Sequence, residues 1–371
     1  MMLADIDSGN QMMKSVDALM KTAVEEGIFP GGVLLVERKE DILFHGAYGK
    51  ADIFTGKDVT MNTVFDLASL TKPLATTLSI MKLEEQQKLS LDQTLGEIIE
   101  HFRGKDTAAI TVRHLLNHTS GLPDYKPYFE QVRSIPERER KRKFRELLIN
   151  EKLVSSIGMK TLYSDIGFMI LSWIIERVSG KRLDYFVRDE IYEPSGLQEL
   201  FFIDLDLVGQ KVHNPSEQFA ATENCPWRKK VIIGEVHDDN AFVVGGVDGH
   251  AGLFGTAREV GRLLMMLQRR FHGHLAGWVL DSKTIRKYFE KPEGDARALG
   301  FDTPSTVDSS CGHYFSERTV GHLGFTGTSF WMDLEKEINV VFLTNRVHPS
   351  RENIRIRAFR PIIHDMVMKN I

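Results

Sequence analysis

The chain has 371 residues, of which 42% are hydrophobic and 26% charged, enough apolar material for a substantial core. Its formal net charge of −4 at pH 7 argues against a polyanion partner, so no nucleic acid is expected. No run of about 18 apolar residues marks a membrane span. Residues 1–7 lack a basic segment followed by an apolar one, so the expectation is a cytoplasmic protein with no signal peptide and no membrane partner.

The apolar period changes several times along the chain. Val16–Val24 has helical spacing. Gly32–Glu37 and Ile42–Tyr48 read as a β-hairpin turning at residues 38–41. From Ser69 the pattern becomes helical: Leu74–Gln87, Val112–Asn117 and Phe144–Leu153 each fit a helix. Ile166–Ser179 fits another, closed by Gly180, and Leu183–Tyr192 follows. Strand patterns return at 252–255, 319–332 and 338–344. A last helix covers at least Pro361–Met368, with the proline expected in its first turn. Strands at both ends and helices between them predict an α/β (α+β) protein in three stretches. These are a first α/β part (1–75), a mostly helical insertion (76–234) and a second α/β part (235–371). Residues 204–236 have little periodicity and read as a long loop over the junction. The mixed-charge run 133–145 reads as a solvated helix. Cys225 and Cys311 have no metal-ligand spacing and read as idle thiols in a reducing compartment.

Ser69-Leu70-Thr71-Lys72 carries the chemistry. A serine and a lysine three residues apart share one helix face, which brings a hydroxyl and an amine together. Pro73 fits a first helical turn, so a helix is expected to start within a residue or two of Ser69. The serine then sits among free N–H groups at the positive end of the helix dipole. Two further segments follow in order. Tyr163-Ser164-Asp165 precedes a helical run, and His322-Leu323-Gly324 opens a β-rich stretch.

The order S-x-x-K, Y-x-[N/D], [K/H]-x-G resembles the penicillin-recognising serine hydrolases, nearest to the class C β-lactamase-like group that includes esterases, D-amino-peptidases and amidases. Phe65–Ala68 and the segment from Ile110 to Leu122, which contains Asn117 and ends in H-T-S-G-L, fit the same group, and the resemblance spans roughly residues 15–365. It implies the β-lactamase/transpeptidase-like fold: an antiparallel sheet flanked by helices, a mostly helical domain beside it, and the active site between them. It also implies that Ser69 forms an acyl-enzyme and that Tyr163 passes the proton to the leaving group and activates the deacylating water. The N–H groups of Ser69 and Phe325 are the implied oxyanion hole, with Gly324 letting substrate approach the strand backbone.

Asp165 stands where asparagine is commoner. A carboxylate there would keep Lys72 charged, which shifts the base role toward Tyr163 without deciding it. His322 stands in place of the lysine of K-T-G. A mostly neutral imidazole attracts a substrate carboxylate less than lysine would, which weakens the β-lactamase reading.

Residues 235–241, 249–254, 321–329 and 343–349 resemble the β-lactamase-related hydrolases of cell-wall turnover, among them N-acetylmuramoyl-L-alanine amidases. That resemblance implies a polar pocket in which His237 and His250 either meet substrate or order a loop, as does Asp238. Arg346 either anchors a substrate carboxylate or is a surface charge. No metal or other cofactor is expected. The expected function is a serine hydrolase acting on a small molecule or peptidoglycan fragment, preferentially a MurNAc-peptide amide. A carboxylesterase comes next, then a weak β-lactamase or D-amino-peptidase, or a penicillin-binding sensor that does not turn over.

Overall fold

The computed structural model describes residues 2–207, 219–291 and 297–371, the side chains of 2–13 and 207 excepted. A six-stranded antiparallel sheet organises them. In spatial order its strands are Lys57–Asp58, Asp41–Asp52, Gly31–Arg38, Ile338–Thr344, Ser329–Asp333 and Thr319–Leu323. The two central strands come from opposite parts of the chain and pair as Val33↔Leu343 and Leu35↔Val341. The hairpin expected at the start is present, with Lys39 in the left-handed region (φ 57) at its turn.

Alternate residues of the central strands serve two cores. Val33, Leu35, Val341 and Leu343 join Val260, Leu264 and Leu267 of the helix Ala257–His272. Leu34, Val36, Val340 and Phe342 pack on the other face with Val16 and Met20 of helix Met2–Glu25 and with Phe359, Ile363 and Val367 of helix Ile356–Lys369. Both faces are therefore covered, which is why residues 33–36 are an unbroken apolar run.

The first core continues into the helical part through Leu78, Leu115, Ile170, Ile174 and Phe186. Helix Asp165–Ser179 is capped by the Ser164 hydroxyl, which accepts from Gly167 N at 3.2 Å, and closes on Gly180 at φ 73. The mixed α/β architecture expected from the sequence is the one observed.

Four local expectations change. The helix after Ser69 is not uniform. A 3₁₀ turn, Ala68–Leu70, leads into a wider π-helical turn, Lys72–Thr77, before regular α-helix from Leu78 to Glu85. Pro73 has no N–H to close a regular rung there. The closing helix starts at Ile356, so Pro361 lies inside it and not in the first turn. Burial of Ile356, Phe359, Ile363 and Val367 on one face outweighs the lost rung. The helix expected at 144–153 is Glu137–Ile149, the mixed-charge run itself, tied to the next helix by Lys141 on Glu176 at 2.8 Å. Part of the 204–236 loop lies outside the described residues, and the rest includes a small ribbon, Asn224–Cys225 against Lys230–Val231. Both cysteines are free and buried.

Candidate active site

Three short strands bring the site together. Leu253–Gly255 pairs with Phe65–Asp66 on one side and Leu200–Phe202 on the other. The chain then turns sharply into Ser69, with Ala68 in the left-handed region at φ 47, a strained conformation for a residue with a Cβ. Asp66 holds that turn. Its buried carboxylate accepts from Ala68 N at 2.8 Å and from His237 N at 2.6 Å, so one side chain ties the serine turn to the 237 segment. Thr71 and Thr76 tie the helix to the next segment. Leu253 N donates to Thr71 Oγ1 at 3.0 Å, and Thr76 Oγ1 donates to Gly249 O at 2.7 Å.

Lys72 is fully buried at the centre. Its Nζ donates to Ser69 Oγ at 2.9 Å and to His250 O at 3.0 Å, and pairs with Asp165 Oδ1 at 2.7 Å. Burial by itself would pull the ammonium pKa down. The Asp165 carboxylate and the Tyr163 oxygen more than offset this, so Lys72 stays charged. Lys72 Nζ lies 5.0 Å from the centre of the Tyr163 ring, and burial pushes the phenol above its usual value against the pull of the ammonium. His118, from the H-T-S-G-L segment, lies against the Tyr163 ring at 4.6 Å between centroids, and its Nδ1 accepts from Ser164 N at 3.0 Å. One imidazole thus sets both the tyrosine ring and the start of the helix that carries Asp165.

His322 stands across from Tyr163, 5.8 Å between ring centroids. Its Nδ1 is 2.9 Å from Leu323 O, so the proton is on Nδ1 and the lone pair on Nε2. Burial, and then the Lys72 charge, hold it well below the usual histidine pKa, so it is neutral. The strand ends in a tight loop, Gly324–Thr328, that carries Phe325 to the rim, 48% exposed. Among the described residues no acceptor faces the Phe325 N–H.

Ser69, Tyr163, Asp165, His237, His322, Gly324, Phe325 and Arg346 line one cavity of about 670 Å³. Three further residues take these places. Asn117 is outside the cavity, where its Oδ1 accepts from Thr119 Oγ1 at 2.6 Å and orders the turn after its helix. His250 is behind the wall. Its ring pairs with Asp238 at 2.8 Å, and only its carbonyl reaches the centre, on Lys72. Burial would lower its pKa, but Asp238 and Asp248 push it up to about 10. Gly324 lines the cavity, and its lack of a side chain also serves the chain itself. A Cβ there would stand 2.0 Å from Thr328 Oγ1 and 2.8 Å from Leu67 O. His237 is at the wall, stacked on Phe325 at 5.7 Å, with its Nε2 3.2 Å from Glu223.

The sequence reading missed Arg297, Arg357 and Arg360, which also line the cavity. Arg297 lies over the Tyr163 ring at 5.5 Å and pairs with Asp302. No motif marks these arginines, because folding alone brings their segments to the serine. Among the described residues no group of three or more His, Cys, Asp or Glu side chains could hold a metal ion.

A serine hydroxyl between an ammonium and a phenol, facing a strand edge with an open N–H, can perform acyl transfer. Fold and site define a serine hydrolase of the penicillin-recognising type. The beta-lactamase family model matches residues 16–361, and the chain belongs to that family. It is 32% identical over 376 residues to the N-acetylmuramyl-L-alanine amidase of Bacillus subtilis (strain 168), covering 91% of this chain and 81% of that one. It is 31% identical over 370 residues to a putative D-alanyl-D-alanine carboxypeptidase of Escherichia coli (strain K12), covering 91% and 83%. Among solved structures, EstCE1, a hydrolase with promiscuous acyltransferase activity, shares the fold with a TM-score of 0.71 at 23% identity, over 95% of this chain and 99% of that one. The chain is accordingly a class C β-lactamase-like enzyme. No described helix is long and apolar enough to cross a membrane.

Proposed function

We propose that the enzyme hydrolyses an amide in a peptidoglycan-derived MurNAc-peptide through an acyl-enzyme on Ser69. The observation that carries the mechanism is the bond from Lys72 Nζ to Ser69 Oγ at 2.9 Å, in a lysine whose charge Asp165 neutralises at 2.7 Å. A lysine so paired is a donor and not a base, which leaves Tyr163 to take the serine proton in its phenolate form. Lys72 stabilises that form, because its charge pulls the phenol pKa down. Ser69 Oγ attacks the carbonyl carbon, and the oxyanion is received by the N–H groups of Ser69 and Phe325. Tyr163 gives the proton to the leaving amine and then draws one from the water that releases the acid. Neutral His322 completes the polar wall beside Tyr163.

The amide preference is supported by the amidase and carboxypeptidase names of relatives at 32% and 31% identity. A cavity of about 670 Å³ walled by arginines and His237 suits a polar, carboxylate-bearing fragment. Arg346 is the poorer anchor for that carboxylate, because its Nε and Nη1 donors are spent on the carbonyls of Phe325, Arg351 and Asn353, which leaves Nη2 alone and no bidentate fork. Arg357 at the mouth is exposed and has no ion-pair partner among the described residues, so it is the better anchor.

The test is mass spectrometry of a MurNAc-dipeptide incubated with the enzyme and with Ser69→Ala. Wild type alone should release MurNAc and free dipeptide. If that substrate survives while a p-nitrophenyl ester is cleaved through Ser69, the mechanism stands and the enzyme is an esterase or acts on another peptide. A trapped single equivalent of acyl-enzyme without turnover would make it a sensor.

A further inference from the structure

The Gly324–Thr328 loop that presents the Phe325 N–H is fastened at nearly every backbone oxygen. Arg346 Nε donates to Phe325 O at 2.8 Å, Thr344 Oγ1 to Gly327 O at 3.0 Å, and Arg360 Nη2 to both Gly324 O at 3.1 Å and Thr328 O at 2.9 Å. Thr326 and Thr328 fix the loop to the serine strand through Asp66 O and Leu67 O at 2.8 and 3.1 Å.

One of these bonds differs from the rest in what lies at the other end of the same peptide unit. Gly324 C=O and Phe325 N–H belong to a single amide. A guanidinium on the carbonyl withdraws electron density along that amide and makes its N–H a stronger donor. Arg360 is buried, 6% exposed, and no carboxylate within pairing distance balances its charge among the described residues. Burial, then the charges of Arg346 and Arg357, push its pKa down to about 9, still protonated at neutral pH. A buried cation held against its neighbours' repulsion by two carbonyls is an expensive arrangement for bracing a hairpin that already has its own Gly324 N to Thr328 O bond at 2.7 Å.

We propose that Arg360 is a positioning residue for catalysis, which acts through the Gly324–Phe325 peptide to aim and polarise the Phe325 N–H at the oxyanion of the transition state. This rests on the reading that Ser69 is acylated and that Phe325 N–H lies in the oxyanion hole. The contribution is larger for the tetrahedral oxyanion than for the ground-state carbonyl, so it is felt in kcat and in the binding of tetrahedral analogues, not in KM.

The test compares wild type, Arg360→Gln and Arg360→Lys on a p-nitrophenyl ester, on a boronic acid that forms a tetrahedral adduct, and on an unreactive carboxylic-acid product. Infrared difference spectra of the acyl-enzyme report the carbonyl stretch. Arg360→Gln should lower kcat by about tenfold with KM within about twofold. It should weaken the boronic acid by a similar factor, leave the product's affinity alone, and move the acyl carbonyl stretch to higher wavenumber. Arg360→Lys, which keeps the charge, should recover most of each effect. An unchanged carbonyl stretch, or equal losses for boronic acid and product, would make Arg360 a structural brace only and overturn the proposal. Should the glutamine variant fail to fold, Arg360→Met, which removes the charge but keeps the apolar length, takes its place. An upward shift of the stretch at unchanged KM supports the proposal and no shift overturns it. Absence of any acyl-enzyme on wild-type Ser69 would instead bring down the underlying reading.

Discussion

At 2.7 Å the Asp165 carboxylate sets a full counter-charge against Lys72 Nζ, and the same carboxylate raises the pKa of both Lys72 and Tyr163. The ascending limb of the pH–rate profile belongs to that coupled pair and not to one residue. Because the base must be deprotonated, activity should rise with pH through the neutral range. Removing the carboxylate lowers both pKa values, so Asp165→Asn should move the ascending limb to lower pH. Its plateau kcat should fall by no more than about tenfold. A pH–rate profile of the variant checks this, and a loss as deep as that of Ser69→Ala would make Asp165 part of the reaction itself. The pairing of Ser69 with Lys72 could be proposed before folding because their spacing is short and helical, whereas the role of Tyr163 was implied by the resemblance of the ordered motifs. The service of His118 to Tyr163 could not be, because it depends on a ring contact between segments 45 residues apart in sequence number, seen as Ser164 N on His118 Nδ1 at a separation of 46.

Among the elements, the loop after the strand Thr319–Leu323 leaves no room for a side chain at its first residue. A Cβ on Gly324 meets the Leu67 carbonyl at 2.8 Å, and Leu67 precedes the serine by two residues. The backbone of one of these segments has to move, and either movement separates the Phe325 N–H from Ser69. Gly324→Ala should therefore cut kcat by roughly 100-fold, comparable to loss of an oxyanion donor. Because the contact is local, the melting temperature should change far less than for a core truncation. Thermal melting beside ester kinetics separates the two effects, and a fall in stability with preserved kcat would count against it. The glycine of H-x-G was readable as a site of close approach. That the approaching group is the enzyme's own chain was not, since the sequence contains no sign that residues 67 and 324 are neighbours.

For the whole molecule, two features govern stability. His250, its pKa raised to about 10 by Asp238 and Asp248, is buried as an imidazolium. A group whose folded pKa lies above its unfolded value near ~6.5 stabilises fully below that value and loses the contribution as pH climbs through the folded pKa. The melting temperature should thus decline between about pH 6.5 and 10, and His250→Gln should flatten that slope while lowering stability near neutrality; identical slopes in both proteins would contradict the assignment. The second feature is the sheet, in which Gly31–Arg38 and Ile338–Thr344 pair at the centre with both faces buried. Neither can open without exposing both cores, so the amides of Val33, Leu35 and Val341 should exchange only through global unfolding. The edge pairing at Lys57–Asp58 should exchange much faster. Hydrogen exchange read by mass spectrometry distinguishes the two.

Local chemistry was written in the chain itself. The serine and lysine one turn apart, the helix that begins just after Tyr163, the Gly180 stop and the opening hairpin all follow from patterns over a few residues. Everything that depends on distant segments meeting was decided by tertiary structure. Pro361 sits inside a helix because Ile356 and Phe359 find a buried face on the sheet. His250 became a support and Asn117 left the cavity because their side chains found partners in Asp238 and Thr119. Arg360 reached the Gly324–Thr328 loop because the closing helix packs on that sheet. Residue types and short spacings encode which reactions are available. Burial and long-range pairing, which no local pattern reports, determine which charges persist and which side chains face the substrate.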